Sequence, residues 1–125
     1  LIKGLNSYKE PWTVNSIALD IVTELFEDNN YLTKTRKWLV KEKVFLRKEL
    51  EKIEGLTIFN SNTNFYLCKL KKEKADKLKE GLLKKGIYIR TCEDFKGLGS
   101  SYFRIAVRTH IENRKLIDDL RDLLI

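Results

Sequence analysis

Residues Gly86–Thr109, GIYIRTCEDFKGLGSSYFRIAVRT, read as two β-strands joined by a loop that contains glycines. Side chains alternate between the two faces of a strand, and here one face is apolar while the other carries arginines. The apolar faces consist of Ile87, Ile89 and Thr91 in the first strand and of Phe103, Ile105 and Val107 in the second. The opposite faces consist of Tyr88, Arg90 and Cys92, and of Tyr102, Arg104, Ala106 and Arg108. We expect both strands to bury one face against a core.

Arg90 and Arg104 are the candidate binding residues of this stretch, because they converge if the two strands lie side by side. Two guanidinium groups at one place suit a carboxylate or a phosphate, since each donates paired, charge-assisted hydrogen bonds. The alternative is that both arginines are simply solvated, as polar residues on the outer face of a half-buried strand usually are. By itself, the alternation favours solvation.

The composition is that of one globular domain. The chain has 125 residues, of which 42% are hydrophobic, enough for a hydrophobic core. No apolar run is long enough to span a membrane, and no signal-peptide pattern opens the chain. Because the chain begins at Leu1 without methionine, we expect a piece of a larger protein. Cys68 and Cys92 lack a C-x-x-C spacing and His110 is the only histidine, which argues against a metal or redox site and favours a reduced, cytoplasmic protein.

The formal net charge of +7 allows an anionic partner such as nucleic acid, an anionic membrane or a phosphorylated metabolite. The lysines alternate with glutamates along predicted helices, a pattern more typical of a solvated helix face than of the clustered basic stripe that binds nucleic acid. A basic nucleic-acid-binding module therefore remains an outside hypothesis.

Periodicity predicts the order helix, helix, strand, strand, helix, strand, strand, helix. After an irregular stretch over residues 1–13, the predicted elements are a helix from Thr13 or Val14 to about Phe26, a helix over 31–54 capped by Gly55, strands over 56–59 and 64–70, a helix over 72–85 ended by Gly86, the two strands quoted above, and a last helix opened by a Thr109-x-x-Glu112 capping box. This order predicts an α+β two-layer domain with helices on one side of a small, mostly antiparallel or mixed sheet.

Three apolar patterns predict burial. The first helix carries a stripe for a core, consisting of Val14, Ile17, Ala18, Ile21, Val22, Leu25 and Phe26. The strand over 64–70 is almost continuously apolar, so we expect it to be central and covered on both sides. The inner face of the last helix is predicted to consist of Ile111, Leu116, Ile117, Leu120, Leu123 and Leu124.

The chain shows no self-sufficient catalytic apparatus. It has no P-loop and no G-x-G-x-x-G, and Ser100 and Ser101 have no predictable base. The residues alone indicate a basic α+β domain with a candidate anion site.

Several motifs resemble the C-terminal part of the L-threonine-O-3-phosphate decarboxylases, which are close kin of the histidinol-phosphate aminotransferases. The motifs are P-W-T-V-N at 11–15, T-N-F-Y-L at 63–67, I-R-T-C-x-x-F-x-G-L at 89–98, Y-F-R-I-A-V-R at 102–108 and E-N-R-K-L at 112–116. Each is weak alone, but together they cover most of the chain in the right order.

The resemblance implies the small C-terminal domain of a fold type I pyridoxal phosphate enzyme. Residues 1–13 would be an incoming segment from a missing large domain, and 14–125 the small domain itself. The lysine and aspartate that hold the cofactor in this family lie upstream and match nothing here, so no catalytic or cofactor-binding residue is assigned and the isolated chain is expected to be inactive. The parent enzyme would be a cytoplasmic homodimer acting on a phosphorylated amino acid, with no nucleic acid or membrane partner.

The resemblance also implies roles for three arginines. Arg104 matches the family arginine that grips the acidic group of the substrate, and Arg90 matches a second arginine of the same pocket. Arg108 stands where the aminotransferases commonly have glycine, which favours decarboxylation of threonine phosphate in cobalamin biosynthesis over a histidinol-phosphate-type aminotransferase. An extra cation there suits a substrate with both carboxylate and phosphate, although a solvent-facing strand end explains Arg108 equally well.

Overall fold

The computed structural model describes residues 2–9 and 14–124, which form five helices and four strands. The helices are α1 (Ile2–Tyr8), α2 (Ser16–Glu27), α3 (Asn29–Leu50), α4 (Ala75–Lys84) and α5 (His110–Leu124). The strands are β1 (Leu56–Ile58), β2 (Phe65–Leu70), β3 (Arg90–Thr91) and β4 (Tyr102–Ala106). The chain divides into two compact units, residues 1–35 and 36–125.

The N-terminal unit differs most from the prediction. Residues 2–8, predicted to be irregular, form α1. Helix α2 begins after Asn15, whose side-chain Oδ1 accepts the Ala18 N–H at 2.8 Å and so caps the helix. Pro11, Trp12 and Thr13, where the helix was predicted to begin and where one family motif lies, are outside the described residues.

The predicted core role of the α2 stripe is wrong for this chain. No residue of α2 is buried, and Ile17 and Phe26 are each 71% exposed. The apolar stripe is present on α2, but its burial requires an opposing apolar layer. The described helices of this unit do not supply one. An amphipathic helix shows which face is apolar without showing what covers it.

The C-terminal unit is built on an antiparallel four-stranded sheet with the order β1-β2-β4-β3. This confirms the predicted α+β class. The register pairs Leu56 with Leu70 and Cys68 with Phe103, while Thr91 lies opposite Phe103 on its other side. Strand β2 is therefore central, as predicted.

The core lies between one face of this sheet and helices α3, α4 and α5. It consists of Leu46, Leu50, Ile53, Leu56, Tyr66, Cys68, Leu70, Ala75, Leu78, Leu82, Ile89, Phe103, Ile105, Val107, Leu116, Ile117 and Leu120. The other sheet face is only half-buried, with Phe65, Leu67 and Lys69 of β2 alternating with the buried residues. The expectation that β2 is covered on both sides is thus wrong, because all three helices pack on the same face.

Two predicted helix boundaries need correction, namely the end of α3 and the start of α4, which begins at Ala75 and not at residue 72. Helix α3 stops at Leu50, four residues before the predicted end, and Gly55 adopts a φ of +82° in the turn that leads to β1. Gly86 ends the α4 region as predicted, with a φ of +79° and its N–H donated to the Leu83 carbonyl at 2.9 Å. Positive φ is readily available to glycine, which explains both positions.

The capping box that opens α5 is confirmed. The Glu112 carboxylate accepts the Thr109 N–H at 3.2 Å, and the Thr109 hydroxyl accepts the Glu112 N–H at 3.4 Å. Ile111, however, is 81% exposed, so its predicted inward position is wrong. It precedes buried Leu120 by nine residues, which at 3.6 residues per turn is about 180° around the helix.

A buried polar cluster joins α3 to the start of α5. Asn113 is fully buried, and its side-chain nitrogen donates to the Glu42 carboxylate at 3.0 Å and to the Arg108 carbonyl at 2.7 Å. Its side-chain oxygen accepts the Arg108 N–H at 2.9 Å. Glu42 is itself only 3% exposed and also lies 3.3 Å from the His110 ring nitrogen.

None of the described helices is long and apolar enough to cross a lipid bilayer.

Replacing Asn113 by alanine should lower the free energy of unfolding by about 2–3 kcal/mol, because the Glu42 carboxylate and the Arg108 backbone groups lose a buried partner. Urea unfolding followed by circular dichroism measures this. The matched control is Arg114→Ala at the next, exposed position of α5, which should change stability by less than about 0.5 kcal/mol. Equal effects of the two variants would contradict a structural role for the cluster.

Candidate functional site

The sheet brings the two predicted arginines together. Arg90 of β3 and Arg104 of β4 are direct cross-strand partners, so their side chains leave the half-buried face at neighbouring positions. Burial of Phe103 and Ile105 on the other face, at 0% and 2% exposure, fixes this orientation. The predicted convergence of Arg90 and Arg104 is confirmed, and the two are called the arginine pair below.

Aromatic rings support the arginine pair. The guanidinium carbon of Arg104 lies 4.7 Å from the centroid of the Phe65 ring and 5.5 Å from that of Phe95. Phe95 also lies 5.8 Å from the guanidinium carbon of Arg90, so one ring serves both cations. Among the described residues, Arg104 has no hydrogen-bonded or ion-paired side chain, which leaves its donors available to an anion.

Arg90 differs from Arg104 in having an acidic partner, Asp94. The two side chains form an ion pair and are 45% and 60% exposed. Sequence reasoning gave Asp94 and Phe95 no role, although Phe95 is the phenylalanine of the family motif at 89–98. The contacts of a loop side chain have no periodicity from which to predict them.

Cys92 corrects the predicted extent of the first strand. Only Arg90 and Thr91 pair as strand β3, and Cys92 is fully buried instead of facing outward with Arg90. Its N–H still donates to the Tyr102 carbonyl at 2.9 Å, but the chain then turns, with the Phe95 N–H donating to the Cys92 carbonyl at 3.1 Å. The turn breaks the alternation and directs the side chain inward. Burial raises the pKa of the Cys92 thiol, as it raises that of Cys68 to about 12, so both are suited to packing and not to nucleophilic chemistry.

The structure does not place Arg108 with the arginine pair. It lies four residues beyond Arg104, roughly 13 Å along an extended chain. Its guanidinium donates to the Glu112 carboxylate at 2.6 and 3.1 Å. Arg108 instead lines a separate groove of about 360 Å³, together with Tyr88, Ala106 and Lys115.

Comparison with known proteins identifies the family of this arginine-bearing sheet. The family described as aminotransferase class I and II matches residues 1–120. The chain belongs to the class I and II aminotransferase family. The four-stranded sheet with its arginine pair is therefore a part of an aminotransferase-family fold.

Three individual proteins of known name are similar to this chain. A protein of Caldanaerobacter subterraneus subsp. tengcongensis named "Putative threonine-phosphate decarboxylase" is 43% identical over 98% of this chain and 34% of its own length. The adenosylcobalamin biosynthesis bifunctional protein CobDQ of Leptospira interrogans is 38% identical over 86% of this chain and 13% of its own. The histidinol-phosphate aminotransferase of Clostridium acetobutylicum has a crystal structure that superposes with a TM-score of 0.83 at 31% identity, covering 96% of this chain and 36% of that one.

This aminotransferase-family chain thus spans about a third of the length of the first of these relatives. Structures similar to it are fold type I enzymes, and the family depends on pyridoxal phosphate. The side chains that contact the arginine pair, Phe65, Phe95 and Asp94, include no lysine that could hold that cofactor covalently. The lysine on the same sheet face, Lys69, has its ammonium group 5.1 Å from the centroid of the Tyr102 ring. We assign no cofactor-holding residue to this chain.

Within residues 2–9 and 14–124, no group of three histidine, cysteine or acidic residues could hold a metal ion.

The Arg108–Glu112 pair predicts a pH dependence of stability. The hydrogen bond from Arg108, followed by those from the Thr109 hydroxyl and backbone, lowers the pKa of Glu112 from 4.5 to about 2. A carboxyl whose pKa is lower in the folded state stabilises that state above its unfolded pKa, and loses this contribution as pH falls towards the folded pKa. The stability advantage of the natural chain over Glu112→Gln should therefore shrink between pH 4.5 and pH 2.

Urea unfolding at constant ionic strength measures this difference. Arg108→Ala, which removes the main cause of the low pKa, should move the decline to higher pH. A difference between the natural chain and Glu112→Gln that stays constant down to pH 2 would contradict the assignment.

Proposed function

We propose that this chain is the substrate-binding C-terminal part of a pyridoxal phosphate-dependent decarboxylase. The enzyme would convert L-threonine O-3-phosphate to 1-amino-2-propanol phosphate and carbon dioxide in cobalamin biosynthesis. The observation that carries the proposal is the direct pairing of Arg90 with Arg104 on an open sheet face, in a chain 43% identical to a relative bearing the decarboxylase name. The name of the Leptospira relative supports the pathway.

The arginine pair suits such a substrate because the substrate carries two acidic groups. Guanidinium groups bind carboxylate and phosphate through paired, charge-assisted hydrogen bonds, and two of them can restrain a small molecule at one end or at both. A substrate restrained in this way presents Cα to the reaction in one orientation, which is a large part of what an enzyme supplies. The cofactor-binding and catalytic residues belong, in this proposal, to the part of the enzyme outside this chain, so the chain alone should be inactive.

A histidinol-phosphate-type aminotransferase is the second candidate. It is favoured by the high TM-score of the Clostridium structure, whose sequence is 31% identical. Its substrate would also be a phosphate ester, so the arginine pair suits both reactions. Arg108, which the decarboxylases share, favours the first candidate, and we retain it as a proposed specificity residue beside the groove that it lines with Tyr88 and Lys115.

The remaining features fit a larger cytoplasmic enzyme. The exposed apolar residues of α2, including Ile17 and Phe26, would be covered by the rest of the polypeptide in a homodimer of the kind typical for the family. Cys68 and Cys92 are free thiols, which supports a reducing compartment. We propose no nucleic acid or membrane partner.

Arg104→Ala in the full-length enzyme should lower kcat/KM for threonine phosphate about 10- to 100-fold, the loss expected when a charge-assisted contact to the substrate is removed. Steady-state kinetics measure this, and circular dichroism checks the fold. Arg114→Ala, which removes an exposed arginine from α5, is the control and should keep the natural value. Unchanged turnover and affinity in Arg104→Ala would refute the assigned role.

The choice between the two reactions is tested with the full-length enzyme, pyridoxal phosphate and O-phospho-L-threonine, with and without 2-oxoglutarate. We expect carbon dioxide and 1-amino-2-propanol phosphate to be released whether or not the oxoacid is present. Glutamate formation that requires the oxoacid, with no carbon dioxide, would move the assignment to an aminotransferase.

A further inference from the structure

We propose that Asp94 is an internal competitor for the anion-binding position of Arg90, and that an incoming acidic group must displace it. The inference rests on the proposed function, because it concerns how the arginine pair receives its ligand. It adds a residue that the sequence did not single out and gives it a specific effect on affinity.

The first observation is that the arginine pair is asymmetric. Arg90 and Arg104 are direct cross-strand partners, and like charges at such positions repel each other. The ion pair with the Asp94 carboxylate offsets one of the two charges, whereas Arg104 has no such partner among the described residues. A bound carboxylate or phosphate would offset the charge of Arg90, as the Asp94 carboxylate does when no ligand is bound. The two anions therefore compete for the same donors.

The second observation is that Asp94 can leave without rearranging the fold. Its side chain is 60% exposed, so a rotation about its side-chain bonds takes the carboxylate into water. The backbone of the loop is held independently, because the Phe95 N–H donates to the Cys92 carbonyl at 3.1 Å and the Leu98 N–H donates to the Phe95 carbonyl at 3.0 Å. The neighbouring buried residue, Cys92, anchors the start of the loop in the core.

The third observation is that Phe95 keeps the arginines in place when Asp94 turns away. Its ring lies 5.8 Å from the guanidinium carbon of Arg90 and 5.5 Å from that of Arg104. The negative face of an aromatic ring attracts cations but does not occupy their in-plane donors. Phe95 therefore acts as a positioning residue for both guanidinium groups, while Asp94 occupies the donors of only one.

The size of the effect follows from the exposure of the pair. Exposed ion pairs contribute little to stability, so a ligand that reaches both arginines can displace Asp94. Removing the competitor should improve anion affinity by about two- to five-fold, the range that such weak pairs correspond to.

The experiment uses the full-length enzyme, labelled with ¹⁵N at arginine, and inorganic phosphate at constant ionic strength. The NMR signals of the arginine Nε–Hε groups report binding at Arg90 and Arg104 separately. We expect Asp94→Asn to bind phosphate two- to five-fold more tightly than the natural chain, with the gain seen at the Arg90 signal. Asp94→Glu, which restores a carboxylate, should return the affinity towards the natural value.

The matched control is Glu93→Gln, which removes the same charge from the adjacent exposed residue. Glu93 makes no ion pair with Arg90 in the described part of the chain, so this variant reports only the general effect of net charge. An equal gain in Glu93→Gln and Asp94→Asn would overturn the inference. Phosphate that fails to bind at Arg90 in Asp94→Asn would overturn it as well. The proposed function stands or falls separately, on decarboxylation by the full-length enzyme and its loss in Arg104→Ala.

Discussion

The placement of the site depends on the burial of Phe103 in the middle of β4. Phe103 is 0% exposed and lies between Cys68 of β2 and Thr91 of β3, so it fixes the register of three strands at once. Because strand side chains alternate, a buried Phe103 forces Arg104 onto the opposite face. A slip of one residue would put Arg104 into the core, at a cost that no hydrophobic contact could offset. Core packing therefore determines the sheet face on which Arg104 lies, so placing this arginine costs the fold little stability.

A second constraint holds the end of β4 in place from the other side of the sheet. The side chain of buried Asn113 forms hydrogen bonds with the backbone N–H and carbonyl of Arg108 and with the Glu42 carboxylate of α3. The chain leaving the arginine strand is thus tied to the longest helix by hydrogen bonds with fixed geometry. A buried carboxylate is tolerated here because it is paired, with Asn113 and with His110 at the helix start. Hydrophobic burial sets which way β4 faces, and this polar link sets where it ends.

Sequence reasoning succeeded where a short period determines structure. The two faces of β4 and the Thr109–Glu112 capping box follow from spacings of two to four residues, and the structure confirms them. The convergence of Arg90 with Arg104 was expected only if their strands pair, and the structure shows that they do. Sequence reasoning failed where the outcome depends on distant neighbours. The stripe on α2 was recognised correctly, yet nothing in its period shows whether another layer covers it. Cys92 turned inward because a loop begins there, and loop geometry leaves no periodic trace.

Arg108 differs from the arginine pair in both position and partner. The family resemblance matched Arg104 and Arg90 to one pocket and suggested Arg108 as an extra cation near it. The structure joins the first two, whereas Arg108 lies past the end of β4 and is bound to Glu112. The arginine pair places two guanidinium groups side by side on one face of the sheet. The open sheet face around the arginine pair also explains why the pair has compensating contacts within the chain. Two cations on adjacent strands need compensation when no ligand is bound, and an aromatic ring with a displaceable carboxylate supplies it without closing the face to an incoming anion.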